Sequence, residues 1–101
     1  MDCHFPNCQS RVLRELQEVG LCLEHYVQNV QLDANGFAQR MDSRQLSADH
    51  KQNLGNFVCL SAAKLASIGV ANPRLSDFDR ARLLNAMFML IELRERAEKY
   101  L

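Results

Sequence analysis

Three cysteines and a histidine near the start of the chain have the spacing of a metal site. The pattern is Cys-x4-Cys-x13-Cys-x2-His, formed by Cys3, Cys8, Cys22 and His25. Zinc prefers thiolate and imidazole ligands, and four protein ligands complete its tetrahedral coordination. A site closed in this way has no position for a reacting water, so the sequence predicts a structural Zn²⁺ and no catalytic residue at the metal.

The residues around these ligands favour the turns that the site requires. Pro6-Asn7 lies between the first two cysteines, where a tight turn must bring two sulfurs to one ion. Cys22 and His25 are three positions apart, so both fall on one face of the first turn of a helix expected to begin at about residue 21 or 22. The positive end of the helix dipole at that point favours the thiolate form that binds metal.

Other interpretations of the cysteines stay open. A disulfide among Cys3, Cys8 and Cys22 is one of them, and an intracellular chain disfavours it. Free structural cysteines are another, although their clustering beside a histidine is then a coincidence. His4 adjoins Cys3 and could replace a missing ligand, but we rank it as exposed or as a neighbour of the ligands.

The first quarter of the chain resembles a small treble-clef-like zinc module, in which a knuckle provides two ligands and a helix start provides two more. The resemblance rests on the first cysteine pair and on Gly-Leu-Cys-Leu-Glu-His-Tyr at residues 20–26. It implies ligation by the same four residues and a hairpin over residues 11–19. Three aliphatic residues of that segment stand instead at helical spacing: Val12, Leu16 and Val19. Such modules serve in nucleic-acid binding, nuclease scaffolds and protein contacts, so the resemblance selects no function.

The rest of the chain is predicted to be helical, because its apolar residues recur every three or four positions. Helices are expected at about 22–42, 47–68 and 77–100. The predicted fold class is mainly α: a zinc knuckle at 1–26 merges into a helical region at 22–101 with a three-helix, bundle-like arrangement. The length of 101 residues suits one compact domain.

Turn and capping residues set the expected helix ends. Ser47 is a good N-cap for the second helix, Gly69 is expected to end it, and Pro73 prevents its continuation. Asn35-Gly36 could form a turn, but the apolar pattern keeps its phase across it. We therefore predict one continuous first helix, with Gly36 costing about 1 kcal/mol.

The third predicted helix is apolar almost all round over residues 83–93. Such a helix needs neighbours on several sides, and eleven residues are too few to span a bilayer. The stretch therefore predicts a central bundle position or a self-association surface. The predicted partner-binding residues are Met87, Phe88, Met89 and Ile91. For the two methionines, core packing is the favoured alternative.

Charge and composition restrict the function classes. Twelve Lys and Arg balance twelve Asp and Glu, so no overall field attracts nucleic acid or an anionic membrane. Residues 1–26 carry two arginines against four acidic residues, which disfavours phosphate contacts by the knuckle. A nucleic-acid-binding, zinc-finger-type regulatory protein is retained as the alternative function.

Catalysis has little support in the sequence. Asp77 and Asp79 are explained as charges at a helix start, and no nucleophile and base stand apart from the cysteine cluster. Cys59 is expected to be a small buried apolar residue and His50 to be exposed. With no run of eighteen apolar residues and no signal-peptide pattern at the start, we expect a cytoplasmic protein without a membrane partner. The predicted function is a non-catalytic, zinc-stabilised protein-interaction or adaptor module that forms homodimers, with no small-molecule substrate identified.

Overall fold

A computed structural model describes residues 2–43 and 47–100, so residues 1, 44–46 and 101 of the predicted domain lie outside the described part. The described chain forms a short 3-10 helix, Arg14–Leu16, and three α-helices: α1 (Leu23–Asp42), α2 (Ala48–Ala71) and α3 (Asp77–Tyr100). No strand occurs in these ranges, and an isolated bridge pairs Asp2 with Arg11. The mainly α fold class is therefore confirmed. The hairpin implied for residues 11–19 does not form, and the 3-10 turn lies in its place.

Side-chain caps fix the starts of α2 and α3. Ser47 is the N-cap of α2, where its Oγ accepts a hydrogen bond from the His50 N–H at 3.3 Å. The Ser47 N–H in turn donates to the His50 Nδ1 at 3.4 Å. This reciprocal pair holds His50 half-buried, so the prediction that it is exposed was wrong. At the start of α3, the Ser76 Oγ accepts from the Asp79 N–H at 3.1 Å.

The end of α2 lies beyond the position predicted from Gly69. The glycine keeps its helical conformation, and the helix continues to Ala71. Asn72 then leaves the helix with φ −125° and ψ 71°, because the residue before a proline is driven out of the helical region. The carbonyl oxygen of Ile68 accepts two hydrogen bonds from Asn72, one from its backbone N–H at 3.1 Å and one from its side-chain amide at 2.8 Å. Pro73, and not Gly69, therefore determines where α2 stops.

The third α-helix is central, because α3 packs against both α1 and α2. Four of its side chains are buried in the core: Leu83, Ala86, Leu90 and Leu93. α1 and α3 run in the same direction, with an Arg82–Glu24 ion pair near their starts and an Arg96–Asp42 ion pair near their ends. The central position predicted from the apolar circumference of α3 is what the structure shows.

The second α-helix is long and apolar enough to cross a membrane, judged by length and composition alone. An 18-residue window of α2 has a mean hydropathy of 1.5. In this structure four apolar residues of α2 lie in the core of the bundle: Leu54, Val58, Leu65 and Ile68. A core helix meets the same length and composition criteria, so the expectation of no membrane partner stays a prediction.

Candidate metal centre

The structure brings the four predicted ligands together. One atom each from Cys3, Cys8, Cys22 and His25 lies within 4.8 Å of the other three. The His25 Nδ1 is 3.4 Å from the Cys3 Sγ and 3.3 Å from the Cys22 Sγ, and the sulfurs of Cys8 and Cys22 are 3.9 Å apart. In a tetrahedral site with metal–sulfur bonds of about 2.3 Å, neighbouring sulfurs are about 3.8 Å apart. The four groups could therefore bind one metal ion.

A tight turn positions the first two sulfurs. The Cys8 N–H donates to the carbonyl oxygen of Phe5 at 3.0 Å, and Asn7 has a φ of 64°. Pro6 presets its own φ, and asparagine tolerates the left-handed conformation at the next position. The predicted turn at Pro6-Asn7 is confirmed, and it carries Cys3 and Cys8 to the same side of the loop.

The start of α1 positions the other two ligands. Cys22 is the N-cap residue with extended backbone, and His25 is the third residue of the helix. Both side chains therefore project from the N-terminal end of α1. Helical structure begins at Leu23, just after the predicted start, because the thiol-bearing residue itself occupies the capping position.

The surroundings give the two buried thiols opposite acidities. Burial would raise the pKa of Cys3, but hydrogen bonds from the N–H groups of Cys22 and Phe5 and from the His25 and Cys22 side chains lower it to about 6. Burial raises the pKa of Cys22 to about 11; the His25 N–H opposes this rise, and Cys3 and Cys8 add to it. At neutral pH one buried thiol is therefore ionised and the other holds a proton that a metal must displace.

Two aromatic contacts around the ligands go beyond the sequence prediction. Phe5 stacks on the His25 ring, with centroids 3.9 Å apart and planes at 10°. His4 is exposed and outside the ligand cluster, and its ring packs over Gly20, where a Cβ atom would come within 2.4 Å of the His4 Nδ1. Gly20 also has a φ of 69°, so both the backbone and the space require glycine there. The sequence signal for the stacking of Phe5 on His25 was the position of this aromatic residue between the ligands Cys3 and Cys8.

Polar contacts attach the metal-binding segment, residues 2–25, to α2. The Lys64 Nζ donates to the carbonyl oxygen of Glu15 at 3.1 Å and forms an ion pair with Glu18. The Asn72 Nδ2 donates to the Glu15 Oε1 at 2.8 Å. Beside these contacts Leu16 is fully buried. These partners are distant in sequence, so no local pattern indicates them.

The cysteines of the structure are free thiols. The 3.9 Å between the sulfurs of Cys8 and Cys22 is far longer than a disulfide bond of about 2.05 Å. Cys59 is exposed, so the prediction that it is buried was wrong. Successive helix residues point about 100° apart, and it is Val58 that faces the core while Cys59 points outward.

The predicted partner-binding residues divide between core and surface. Met87 and Met89 are half-buried against the core, whereas Phe88 is 62% and Ile91 52% exposed. Leu84, one turn before Phe88, is 49% exposed and was missing from the prediction. Leu84, Phe88 and Ile91 fall on one face of the helix, and they are called the α3 stripe below.

Comparisons with known proteins add no family to these observations. No protein-family model, no curated protein and no solved structure matches the chain.

Proposed function

We propose that this protein is a non-catalytic, zinc-stabilised protein-interaction module that associates with itself. The observation that carries the proposal is the closed ligand set, three sulfurs and one imidazole nitrogen within 4.8 Å. Sulfur and nitrogen ligands favour Zn²⁺ over Mg²⁺ and Ca²⁺, which prefer oxygen. Four protein ligands occupy all tetrahedral positions, so the metal supplies a structural link and no catalytic water.

The backbone around the ligands supports a treble-clef-like arrangement. A knuckle turn at Pro6-Asn7 provides the first pair of sulfurs, and the start of α1 provides the second pair of ligands. The 3-10 helix Arg14–Leu16 replaces the hairpin that would connect them. The chain is therefore similar to that module at the knuckle turn and at the start of α1, and differs from it in the segment that connects them.

The metal-binding segment needs such a link because it has little other stabilisation. It contains five of the buried core residues: Cys3, Val12, Leu16, Cys22 and Leu23. Two of these five are themselves ligands, so their burial depends on the geometry of the site. Zinc binding supplies folding free energy to segments of this kind, typically on the order of 10 kcal/mol for small zinc domains.

The α3 stripe supports the interaction role. Leu84, Phe88 and Ile91 are all about half exposed or more, and large apolar side chains grouped on one surface are typical of contact sites. Met87 and Met89 lie half-buried on the same helix, where their flexible side chains adapt to a partner. The four cysteines form no disulfide, which suits the reducing cytoplasm, the proposed location.

Metal analysis combined with solution mass tests the proposal. We expect one zinc per chain in protein purified without added metal, and a mass above that of the monomer. Cys22→Ser should lose the zinc, whereas the matched control Cys59→Ser, which changes an exposed cysteine outside the cluster, should keep it. Wild-type protein that is folded and free of bound metal contradicts the proposal.

A further inference from the structure

We infer that two copies of this chain pair through their α3 helices in antiparallel orientation, with the α3 stripes in contact and opposite charges meeting at each end. The inference rests on the proposed function and specifies it further, because it names a second copy as the partner and fixes the register. It follows from the order of charged and apolar residues along one face of α3.

That face carries an apolar centre between charged ends. Its members are Arg80, Leu84, Phe88, Ile91 and Glu95, spaced four, four, three and four residues apart and all exposed. Arg80 donates a hydrogen bond to the carbonyl oxygen of Pro73 at 2.9 Å. Among the described residues, neither Arg80 nor Glu95 has an ion-pair partner within 4 Å.

The arginines on other faces of α3 behave differently. Arg82 pairs with Asp79 and Glu24, Arg94 with Glu98, and Arg96 with Asp42 on α1. Arg80 and Glu95, which flank the α3 stripe, are therefore available to another molecule.

The charge order selects one orientation of two such helices. About a midpoint between residues 87 and 88, Arg80 and Glu95 are equally distant, and so are Leu84 and Ile91. An antiparallel pair places each Arg80 opposite the partner subunit's Glu95, once at each end of the contact. The two ends are roughly 22 Å apart along the helix, at 1.5 Å rise per residue. A parallel pair would set like charges against each other, which is unfavourable.

The groove between α2 and α3 extends the apolar surface beyond a single helix. At one end Ala66 and Gly69 of α2 face Leu84 and Met87 of α3 across a cleft of about 480 Å³. At the other end a second cleft, of about 320 Å³, is lined by Cys59 of α2 and also by charged side chains, among them Arg94 and Glu98. Beside Leu84 the small residues Ala66 and Gly69 keep the α2 wall low, so a partner helix on the stripe also covers that part of α2. This widening matters because stable interfaces bury about 800 Å² per partner.

A second copy suits this surface better than a lipid bilayer does. Arg80 and Glu95 share the face with the α3 stripe, one at each end of it. Burying them in acyl chains without partners is costly, whereas self-pairing gives each an opposite charge. The charged face of α3 is complementary to the same face of a second copy, and this property identifies the second copy as the partner.

Sedimentation equilibrium of the zinc-loaded protein and charge-exchange variants tests the inference. We expect a wild-type dimer whose Kd rises about tenfold or more in Arg80→Glu and in Glu95→Arg, because each change turns two attractions per dimer into repulsions. The double variant R80E/E95R should return to the wild-type Kd. A parallel dimer would not respond to the single changes in this way.

A substitution in the centre of the α3 stripe should raise the Kd of the dimer more than the charge exchanges do. Phe88→Glu should raise the Kd on the order of 100-fold or more, while Leu32→Glu, an equally exposed leucine on α1, should leave it unchanged. Zinc content and helicity of every variant verify the fold. The exchange of exposed charges keeps the inference testable even if Phe88→Glu fails to fold.

The contrary outcomes are distinct. A wild-type monomer with full zinc overturns self-pairing and the self-association in the proposed function, but leaves the zinc-stabilised module standing. A folded protein without zinc overturns the module itself. A dimer that ignores the charge exchanges overturns the antiparallel register. Co-sedimentation of wild-type protein with phosphatidylcholine and phosphatidylserine vesicles, lost in Phe88→Glu, assigns the α3 stripe to a membrane and overturns the inference.

Discussion

The metal-binding segment and helix α3 are stabilised by different means. In the segment, long-range backbone hydrogen bonds such as His4 N–H to the Gly20 carbonyl oxygen, at 2.8 Å, hold irregular chain around the four ligands. α3 has a continuous helix of 24 residues and a buried row of apolar side chains. Where the chain is too short and irregular to bury enough apolar surface, a bound metal can substitute for a core. Where a helix is apolar on all sides, two neighbouring helices cover one part of its apolar surface and leave another part exposed.

Removing the zinc should produce the largest difference in stability between the metal-binding segment and α3. In Cys22→Ser, or after chelation, we expect residues 2–25 to lose hydrogen-exchange protection completely, because their folding free energy comes largely from the metal. α3 should keep most of its protection, and Cys59→Ser serves as the control. Equal loss of protection in α3 would break the comparison, since both regions would then unfold as one unit.

Shortening a core side chain of α3 should have the next largest effect. Leu90 is 1% exposed, so Leu90→Ala should lower the free energy of unfolding by about 2–5 kcal/mol through lost burial and a cavity. Phe88→Ala, at a position 62% exposed, should cost the monomer about 0.5 kcal/mol or less. Denaturant unfolding under monomeric conditions measures both. Similar costs would show that the α3 stripe belongs to the core.

Two glycine substitutions sharpen the comparison further. Gly20→Ala should destabilise the metal-binding segment by about 1–3 kcal/mol, because the position has a φ of 69° and the His4 ring occupies the space of a Cβ atom. Gly36→Ala lies inside α1 with nothing within 4 Å, and should stabilise the protein by about 0.5–1 kcal/mol. Thermal unfolding of the two zinc-loaded variants should shift in opposite directions; shifts in the same direction would contradict the assignment.

The pH dependence of zinc affinity tests the acidities of the thiols. Cys3, with a pKa of about 6, is already a thiolate at neutral pH, whereas Cys22, with a pKa of about 11, must release a proton to bind. Affinity should therefore rise at least about tenfold per pH unit above pH 6, and fall more steeply with acidification through that pH as Cys3 also becomes protonated. Competition with a chromophoric chelator measures it, and an affinity that stays constant above pH 6 would contradict these acidities.

Local patterns in the sequence were reliable wherever a few neighbouring residues decide the structure. Ser47 caps α2 because its hydroxyl reaches the backbone three residues on, and Pro6-Asn7 turns because of their own backbone preferences. The same local logic misplaced the end of α2, because Gly69 alone does not stop a helix that packing continues to support. Cys59 and His50 were assigned wrongly since neighbours along the chain do not determine exposure.

The sequence by itself determined the ligand types, their spacing and the helical periodicity, because these depend on chemistry and on contacts within a few residues. Only the tertiary structure decided which side of α3 faces the core and which carries Leu84, Phe88 and Ile91 to the surface. It also decided that Glu15 meets Asn72 and that Lys64 holds Glu18. A helix apolar on every side has no preferred inner face until its neighbours pack, and that choice depends on residues distant in the chain.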